Sequence, residues 1–197
     1  LDMIYHLLMS GETAPVDIAE HDAREFLTRL RESDRGKEVV AQNSMIFGSV
    51  ATPDDLSWLL DDEYAAWRFL DAYDDWSDVF PREAVLDILR DKDYGSRLVA
   101  ALLSIFHDQL NISDLFWLLS DEYAARRFFY AYDEWSDLFP PKDVLDVLKK
   151  LYPNDYRELI KPYPIFENLP DDTTSGSGPE SGGGGVQEED LTRVEEA

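Results

Sequence analysis

Carboxylates at helical spacing are the residues of this chain that are best suited to chemistry. Asp74, Asp75 and Asp78 form a DDxxD pattern within the sequence DDWSD. On a helix, side chains four residues apart face the same way. Two such carboxylates suit the chelation of Mg²⁺, which prefers oxygen ligands and bridges to phosphates. The spacing therefore raises the hypothesis of a metal-dependent enzyme.

This pattern resembles the metal-diphosphate motif of class I isoprenoid synthases, a family that is also all-helical. The resemblance covers five residues, and the chain of 197 residues is much shorter than that family. A second acidic run, Asp133, Glu134 and Asp137, follows soon afterwards in the chain. Acids on the solvent side of a helix explain both runs more simply. We therefore predict no enzyme, and we expect no metal or cofactor site.

Other catalytic chemistry has little support in the sequence. The chain has no cysteine, which excludes disulfides, thiolate metal sites and cysteine nucleophiles, and which fits an intracellular, cytoplasmic location. The three histidines are far apart and are expected at the surface or the edge of the core: His6, His21 and His107. The longest apolar runs are far short of the ~20 residues of a membrane span, so no membrane association is expected.

An internal duplication organises the chain. The segment 55–81 returns as the segment 114–140, a shift of 59 in the numbering, with 20 of 27 positions identical. Applied backwards, the same shift aligns Arg31 with Arg90, and applied forwards it aligns Arg90 with Lys149. Such self-similarity at a fixed period is typical of repeat proteins. The chain therefore contains two units of equal length and the start of a third.

Each unit is predicted to consist of helices. Apolar periodicity and helix-stop residues indicate helices over residues 1–9, 16–33, 37–47 and 56–60, with Thr52 and Pro53 as a start signal for the last. A longer helix follows, with an aromatic seam at spacings of 3, 4, 3 and 4 along one face: Ala66, Phe69, Tyr73, Trp76 and Phe80. No stretch of useful length alternates with period two, so an all-α fold is expected.

We predict a short, solenoid-like helical-repeat domain over residues 1–170. Its two four-helix units cover about residues 22–80 and 81–139, and the partial third covers residues 140–161. Prolines at positions 162, 164 and 170 exclude a regular helix there. The apolar residues between them favour an extended strap laid over the domain, although a frayed end is the alternative: Tyr163, Ile165, Phe166 and Leu169.

The composition changes abruptly after residue 170. Residues 171–185 are rich in Gly and Ser and are typical of a flexible linker. Residues 186–197, VQEEDLTRVEEA, would form a short amphipathic helix with a small apolar face. A helix of this length is marginal in water without a surface to stabilise it. This arrangement is typical of a peptide ligand fused to its receptor; a natural low-complexity tail and a cloning remnant are the alternatives.

Net charge restricts the class of partner. The formal charge is −24, and residues 171–197 hold eight acids and one arginine, so residues 1–170 carry −17. Such a field repels phosphate backbones, and no nucleic-acid binding is expected. Basic residues that the repeat makes equivalent would line up as a ladder on one side: Arg31, Arg90 and Lys149.

Positions where the two units differ indicate the surface. A duplicated core should stay alike because both copies share one packing problem, whereas a surface is free to diverge. Four aromatic residues occupy divergent positions and are candidate exposed or interface residues, with packing between repeats as the alternative: Trp67, Phe116, Phe129 and Tyr130.

The leading functional hypothesis is a non-enzymatic adaptor that recognises a short acidic amphipathic helix of a partner protein, represented here by residues 186–197. Exposed aromatic residues beside the basic ladder suit such a ligand. On the ligand side, Leu191 and Val194 would be the apolar anchors. The acids Glu188, Glu189 and Asp190 would pair with the basic ladder. Arg193 would pair with an acidic helix of the receptor. Docking in trans would produce a swapped dimer.

Two alternatives stay open. In the first, the charged surface consists of solvated helices with ordinary ion pairs. In the second, the chain is an acidic decoy or inhibitor whose carboxylates mimic nucleic-acid phosphates and occupy a basic partner surface. The decoy predicts salt-sensitive binding to a basic protein that does not need residues 171–197.

Overall fold

The computed structural model of the chain describes residues 2–11, 18–166 and 169. Within these residues it contains helices and no strand, which confirms the all-α class. The first unit and the helix before it comprise α1 (Asp2–Ser10), α2 (Glu20–Arg31), α3 (Gly36–Ala41), α4 (Ser44–Phe47), α5 (Pro53–Leu59), α6 (Glu63–Asp71) and α7 (Tyr73–Trp76).

The remaining helices follow the same order. They are α8 (Arg82–Arg90), α9 (Gly95–Ala101), α10 (Leu103–Phe106), α11 (Leu115–Leu118), α12 (Glu122–Tyr130), α13 (Tyr132–Trp135), α14 (Pro141–Leu151) and α15 (Tyr156–Ile160). Short 3₁₀ turns lie at His107–Gln109, Ile112–Asp114 and Pro164–Phe166. The bounds of α6 and α7 recur in α12 and α13 at the shift that the duplication defines. The solenoid-like stacking of whole units stays a prediction.

Several predicted helices are shorter or divided in the structure. The helix expected over residues 37–47 is interrupted at Gln42 and Asn43, between α3 and α4. There the Asn43 side chain donates a hydrogen bond to the Val39 carbonyl at 2.7 Å, so it satisfies a carbonyl that a continuous helix would use. The helix expected over residues 16–33 is α2, which begins at Glu20 and ends at Arg31.

The long seam helix is also divided, at Ala72, between α6 and α7. The ring centroids of Phe69 and Phe80 lie 6.0 Å apart, whereas eleven residues of straight helix would rise about 16 Å. The division therefore folds the seam back on itself. Its members are nevertheless all buried, as the 3, 4, 3, 4 spacing predicts: Ala66, Phe69, Tyr73, Trp76 and Phe80.

Hydrogen bonds in this seam recur in both units. The Tyr73 hydroxyl donates to the Phe80 carbonyl at 2.7 Å, and the Tyr132 hydroxyl donates to the Phe139 carbonyl at 2.7 Å. Burial raises the pKa of the Tyr132 hydroxyl to about 12. Each of these two buried tyrosines thus keeps its hydroxyl paired, as burial requires, whereas the indole N–H of Trp76 donates to the Ala41 carbonyl and that of Trp135 has no acceptor among the described residues.

The segment after α15 covers one end of α12. Phe166 is buried, and its ring centroid lies 5.4 Å from that of Phe129 and 4.8 Å from that of Tyr132. Tyr163 also contacts Phe129, at 5.4 Å. These contacts confirm a strap over the domain. Its backbone differs from the extended form expected, because Pro164–Phe166 is a 3₁₀ turn.

None of the helices in the described ranges is both long and apolar enough to span a membrane. The predicted linker, residues 171–185, and the predicted tethered peptide, residues 186–197, lie outside the described residues.

Candidate peptide-binding cleft between α6, α9 and α12

The divergent aromatic residues fall into two groups. Trp67, Phe116 and Tyr130 are 39%, 53% and 84% exposed, as expected for surface positions. The exposure expected for Phe129 is wrong, because this residue is only 1% exposed and lies under the strap. Its equivalent, Leu70, is also buried. The change from Leu to Phe therefore fits a larger ring to the strap rather than to solvent.

The basic ladder is largely occupied by structural ion pairs. The Arg31 guanidinium donates to a carboxylate oxygen of Asp55, from Nε at 2.9 Å and also from Nη2. Asp55 is 1% exposed, and its other oxygen accepts from the Thr52 backbone N–H at 2.8 Å and from the Thr52 hydroxyl at 2.7 Å. This capping box starts α5. Arg31 therefore connects the end of α2 to the start of α5.

The second unit repeats this arrangement. Arg90 Nη2 donates to Asp114 at 2.8 Å, and Asp114 accepts from the Asn111 backbone N–H at 3.0 Å. The third member of the ladder, Lys149, lies over the Tyr156 ring with Nζ 6.0 Å from the centroid. A ligand that bound Arg31 or Arg90 would compete with the buried carboxylate that each arginine already pairs with. Loss of the arginine from such a pair leaves a buried charge without a partner and strongly destabilises the fold.

A surface cleft of about 240 Å³ lies where α6 of the first unit meets α9 and α12 of the second. Its apolar lining residues are Leu98 and Ala101, and its aromatic ones are Trp67 and Tyr123. Tyr123 is 51% exposed. Charged groups complete the lining: Glu63, Arg97 and Arg127. A lining of apolar and aromatic residues with a few charged groups is typical of a site that binds an apolar side chain of a ligand.

Both arginines that line the cleft contact a neighbouring side chain of the domain. Arg127 donates from Nε and Nη2 to the Tyr123 hydroxyl at 3.0 and 2.8 Å, and this acceptor is neutral. Arg97 Nη2 meets Glu63 at a long 3.3 Å, and its buried Nε has no acceptor among the described residues. A ligand carboxylate would offer Arg127 a charged acceptor in place of the Tyr123 hydroxyl, and it would compete with the contact of Arg127 over the Tyr123 ring, 5.2 Å from the centroid.

Charge separates this cleft from three other surface cavities. One glutamate against two arginines gives it a formal charge of +1. The equivalent position at the next junction, lined by α12 and the chain around α15, has Arg126 in place of Trp67 and carries −2. A cavity beside Arg31 and Lys37 carries −1, and one beside Tyr130 and Ile165 carries −1. Of these four, the α6–α9–α12 cleft suits an acidic ligand best.

Sequence comparison of the units detected only part of this cleft. Trp67 stands at a divergent position, and so it was identifiable. Tyr123 and Arg127 are identical to Tyr64 and Arg68 in the first unit, so divergence did not mark them. Arg97 aligns with Glu38, a reversal of charge within a helix, and this difference is the signal in the sequence that points to it.

The acidic DDxxD runs lie on the solvent side of the short helices. Asp74, Asp75 and Asp78 are exposed around α7, whereas Trp76 between them is buried. The second run is exposed in the same way around α13. Among the described residues, no three His, Asp or Glu side chains are grouped so as to hold a metal ion.

His107 lies between two carboxylates, those of Asp137 and Asp108. Its Nε2 lies 3.1 Å from Asp137, and its ring stacks on the Trp135 ring with centroids 6.2 Å apart. The hydrogen bond with Asp137 is the main cause that raises the pKa of His107, and the same bond lowers the pKa of Asp137. The first unit has Gly48 at this position, so the pair belongs to the second unit alone.

This pair predicts a pH-dependent contribution to stability. Because the folded-state pKa of His107 is raised, its contribution is fully present below the ordinary histidine value of about 6.5 and disappears as pH rises through the folded pKa. We expect the melting temperature of His107→Gln to fall below that of the wild type by a larger interval at about pH 5.5 than at about pH 8.5. Equal intervals at both pH values would contradict the prediction. His21→Gln is the control, because His21 is 88% exposed and its carboxylate contact, with Asp22, is long at 3.5 Å.

Compared with protein-family models, curated proteins and solved structures, the chain matches none.

Proposed function

We propose that this chain is a non-enzymatic protein–protein interaction module that binds a short acidic amphipathic helix in the α6–α9–α12 cleft. The observation that carries the proposal is the cleft itself: it is lined by the exposed Trp67 and Tyr123, by two apolar residues and by two arginines. A helix laid in such a groove is a recurring mode of peptide recognition. Residues 186–197 are the ligand sequence at hand.

The expected affinity follows from the number of anchors. Two apolar side chains of the ligand, Leu191 and Val194, each contribute about 1.5–3 kcal/mol when fully buried. Carboxylates such as Glu188 would add charge-assisted hydrogen bonds to Arg97 and Arg127. Association itself costs at least about 4 kcal/mol, so an affinity of about 1 μM is the tightest that these contacts would give. A site this weak needs a tether, or several copies, to stay occupied.

The proposal includes a repeat architecture in which the units stack and form clefts at their junctions. Its support is a recurring hydrogen bond between neighbouring units. The Tyr94 hydroxyl donates to the Leu60 carbonyl, and the Tyr152 hydroxyl donates to the Leu119 carbonyl at 2.7 Å. The acceptors Leu60 and Leu119 are equivalent in the duplication, and Tyr152 stands one residue before the position equivalent to Tyr94. Repeat proteins present binding surfaces built in this way from successive units.

Under this proposal the basic ladder of Arg31, Arg90 and Lys149 is no longer the main binding site for the ligand carboxylates. Arg31 and Arg90 act chiefly within the fold, because each holds an aspartate that is itself largely withdrawn from solvent. Arg97 and Arg127 take over the pairing with ligand carboxylates. An intracellular location stays a prediction of the sequence.

Binding should depend on the aromatic residues that line the cleft. The test uses full-length chain that carries Leu191→Ala and Val194→Ala, so that its own segment is disabled, and titrates in a synthetic peptide of residues 186–197 by calorimetry. We expect Trp67→Ala to weaken binding at least about tenfold, because exposed aromatic residues at the centre of a site dominate binding energy. Tyr130→Ala, at the opposite end of α12, should leave binding unchanged. Absence of binding at millimolar peptide would refute the proposal.

The acidic decoy remains the second candidate because basic side chains are engaged internally. Lys37 and Lys92 both contact Asp61, at 3.5 and 2.9 Å, and the hydrogen bond from Lys92 is the main cause that lowers the pKa of Asp61. Such pairs leave the net charge of −24 unchanged, so the surface stays strongly acidic. A decoy would bind a basic protein with strong salt dependence and equally well with Trp67→Ala.

A further inference from the structure

We infer that residues 186–197 of this same chain occupy the α6–α9–α12 cleft in cis and so compete with any partner helix for the site. The inference rests on the proposed function and adds the occupant and its regulatory consequence. It rests on the charge of the cleft, the length of the linker and the effective concentration of a tethered segment.

Charge complementarity selects the cleft. Residues 186–197 hold five acids and one arginine, whereas the cleft carries +1. The equivalent junction cavity, with Glu122, Asp155 and Glu158 in its lining, carries −2 and would repel the same segment. The two cavities occupy equivalent positions in the repeat and differ in charge. The acidic segment is therefore expected to bind the α6–α9–α12 cleft in preference to the cavity beside α15.

The strap delivers the chain to the correct helix. Phe166 and Tyr163 pack against Phe129 at the C-terminal end of α12, and Tyr123 stands near the N-terminal end of the same helix. A helix of nine residues is about 13 Å long. By composition, a Gly/Ser-rich linker as long as residues 171–185 would span about 20 Å on average. This reach exceeds the length of α12, so the segment could extend from the strap end of α12 to the cleft near its other end.

Tethering makes occupancy nearly complete. A flexible linker of this length holds the segment at about millimolar effective concentration. Against a site of about 1 μM, the segment would occupy the cleft about 99.9% of the time. A partner helix of the same intrinsic affinity would then bind about 10³-fold more weakly until the segment is displaced. The tail would thereby act as a built-in competitor.

The natural absence of cysteine allows a direct test by disulfide trapping in the full-length chain. One variant combines Glu63→Cys, at the rim of the cleft, with Thr192→Cys, which lies between the two anchors. The matched control combines Glu122→Cys with the same Thr192→Cys. Glu122 is the equivalent residue of the second unit, it is exposed like Glu63, and it lies on the helix that the strap reaches. An undocked tail would therefore oxidise onto both sites at similar rates.

We expect the Glu63→Cys variant to form a monomeric, intramolecular disulfide at least about tenfold faster than the control, with the difference removed by Leu191→Ala and Val194→Ala. Equal rates at the two sites would overturn the inference. Predominantly dimeric disulfides would also overturn it, because they place the segment on a second copy.

A competition measurement separates failure of this inference from failure of the proposed function. Synthetic peptide of residues 186–197 should bind the Leu191→Ala, Val194→Ala chain far more tightly, by up to about 10³-fold, than it binds the wild type. Equal affinity for both chains would leave the recognition function standing and refute the tethered competitor. Binding to neither chain would refute both.

Discussion

Replacing Arg31 with alanine is expected to lower the free energy of unfolding by about 3 kcal/mol. The substitution leaves the Asp55 carboxylate, which is 1% exposed, with only its Thr52 donors. Breaking a buried ion pair typically costs about 3–5 kcal/mol. The lower end applies because the Arg31 side chain is 43% exposed, so water partly replaces the guanidinium. For a domain of this size the loss corresponds to about 6–12 °C in melting temperature.

The second unit and an exposed pair provide matched comparisons. Arg90→Ala removes the same contact from Asp114 and should cost a similar amount. Arg24→Ala removes an exposed pair with Glu20, at 2.8 Å, and should cost less than about 0.5 kcal/mol. Chemical denaturation of the three variants measures the differences. If Arg31→Ala proved as mild as Arg24→Ala, the ladder would be free for ligand binding, as the sequence alone suggests.

Alanine at Gly36 or Gly95 should destabilise the fold by about 3 kcal/mol or more. A β-carbon at Gly36 would lie 1.7 Å from the Leu30 carbonyl oxygen, and one at Gly95 would lie 1.7 Å from the Leu89 carbonyl oxygen. Both obstacles are backbone atoms of the preceding helix, which a side-chain rotation cannot move. In each unit the chain must therefore pass close over the end of one helix as it begins the next.

Gly48→Ala is the graded comparison for these substitutions. Its β-carbon would meet the Ser44 carbonyl oxygen, also a backbone atom, at 2.8 Å, so the overlap is much smaller and a loss of about 1 kcal/mol, at the low end for overpacking, is expected. Thermal unfolding should therefore rank Gly36→Ala and Gly95→Ala well below Gly48→Ala. Equal melting temperatures for all three variants would show that the close approach can relax without cost.

Features that depend on local pattern are predictable from this sequence. Apolar periodicity along the chain indicated the all-α class and the buried aromatic seam from Ala66 to Phe80, because the spacing of a buried face is a property of the helix itself. Direct comparison revealed the duplication. The capping role of Thr52 and the helix stop at Gly11, where φ is 76°, also follow from residue type and position.

Oppositely charged residues that are retained together in both units indicate a structural ion pair. Arg31 and Arg90, like Asp55 and Asp114, are retained at a constant separation of 24 in the numbering. A shared structural task explains such retention. The prediction of a ligand-binding ladder used the equivalence of the arginines but not that of the aspartates, and so it assigned them to a partner outside the fold.

Contacts between segments distant in sequence were decided by the tertiary structure. Phe129 is buried because Phe166, from a much later part of the chain, closes over it. The seam divides at Ala72 because packing Phe80 against Phe69 requires the chain to turn. The cleft exists because Trp67, Arg97 and Tyr123 come from three different helices. Periodicity tells which face of a helix is apolar, but only the packing of helices in space decides which faces are covered and which remain open to a ligand.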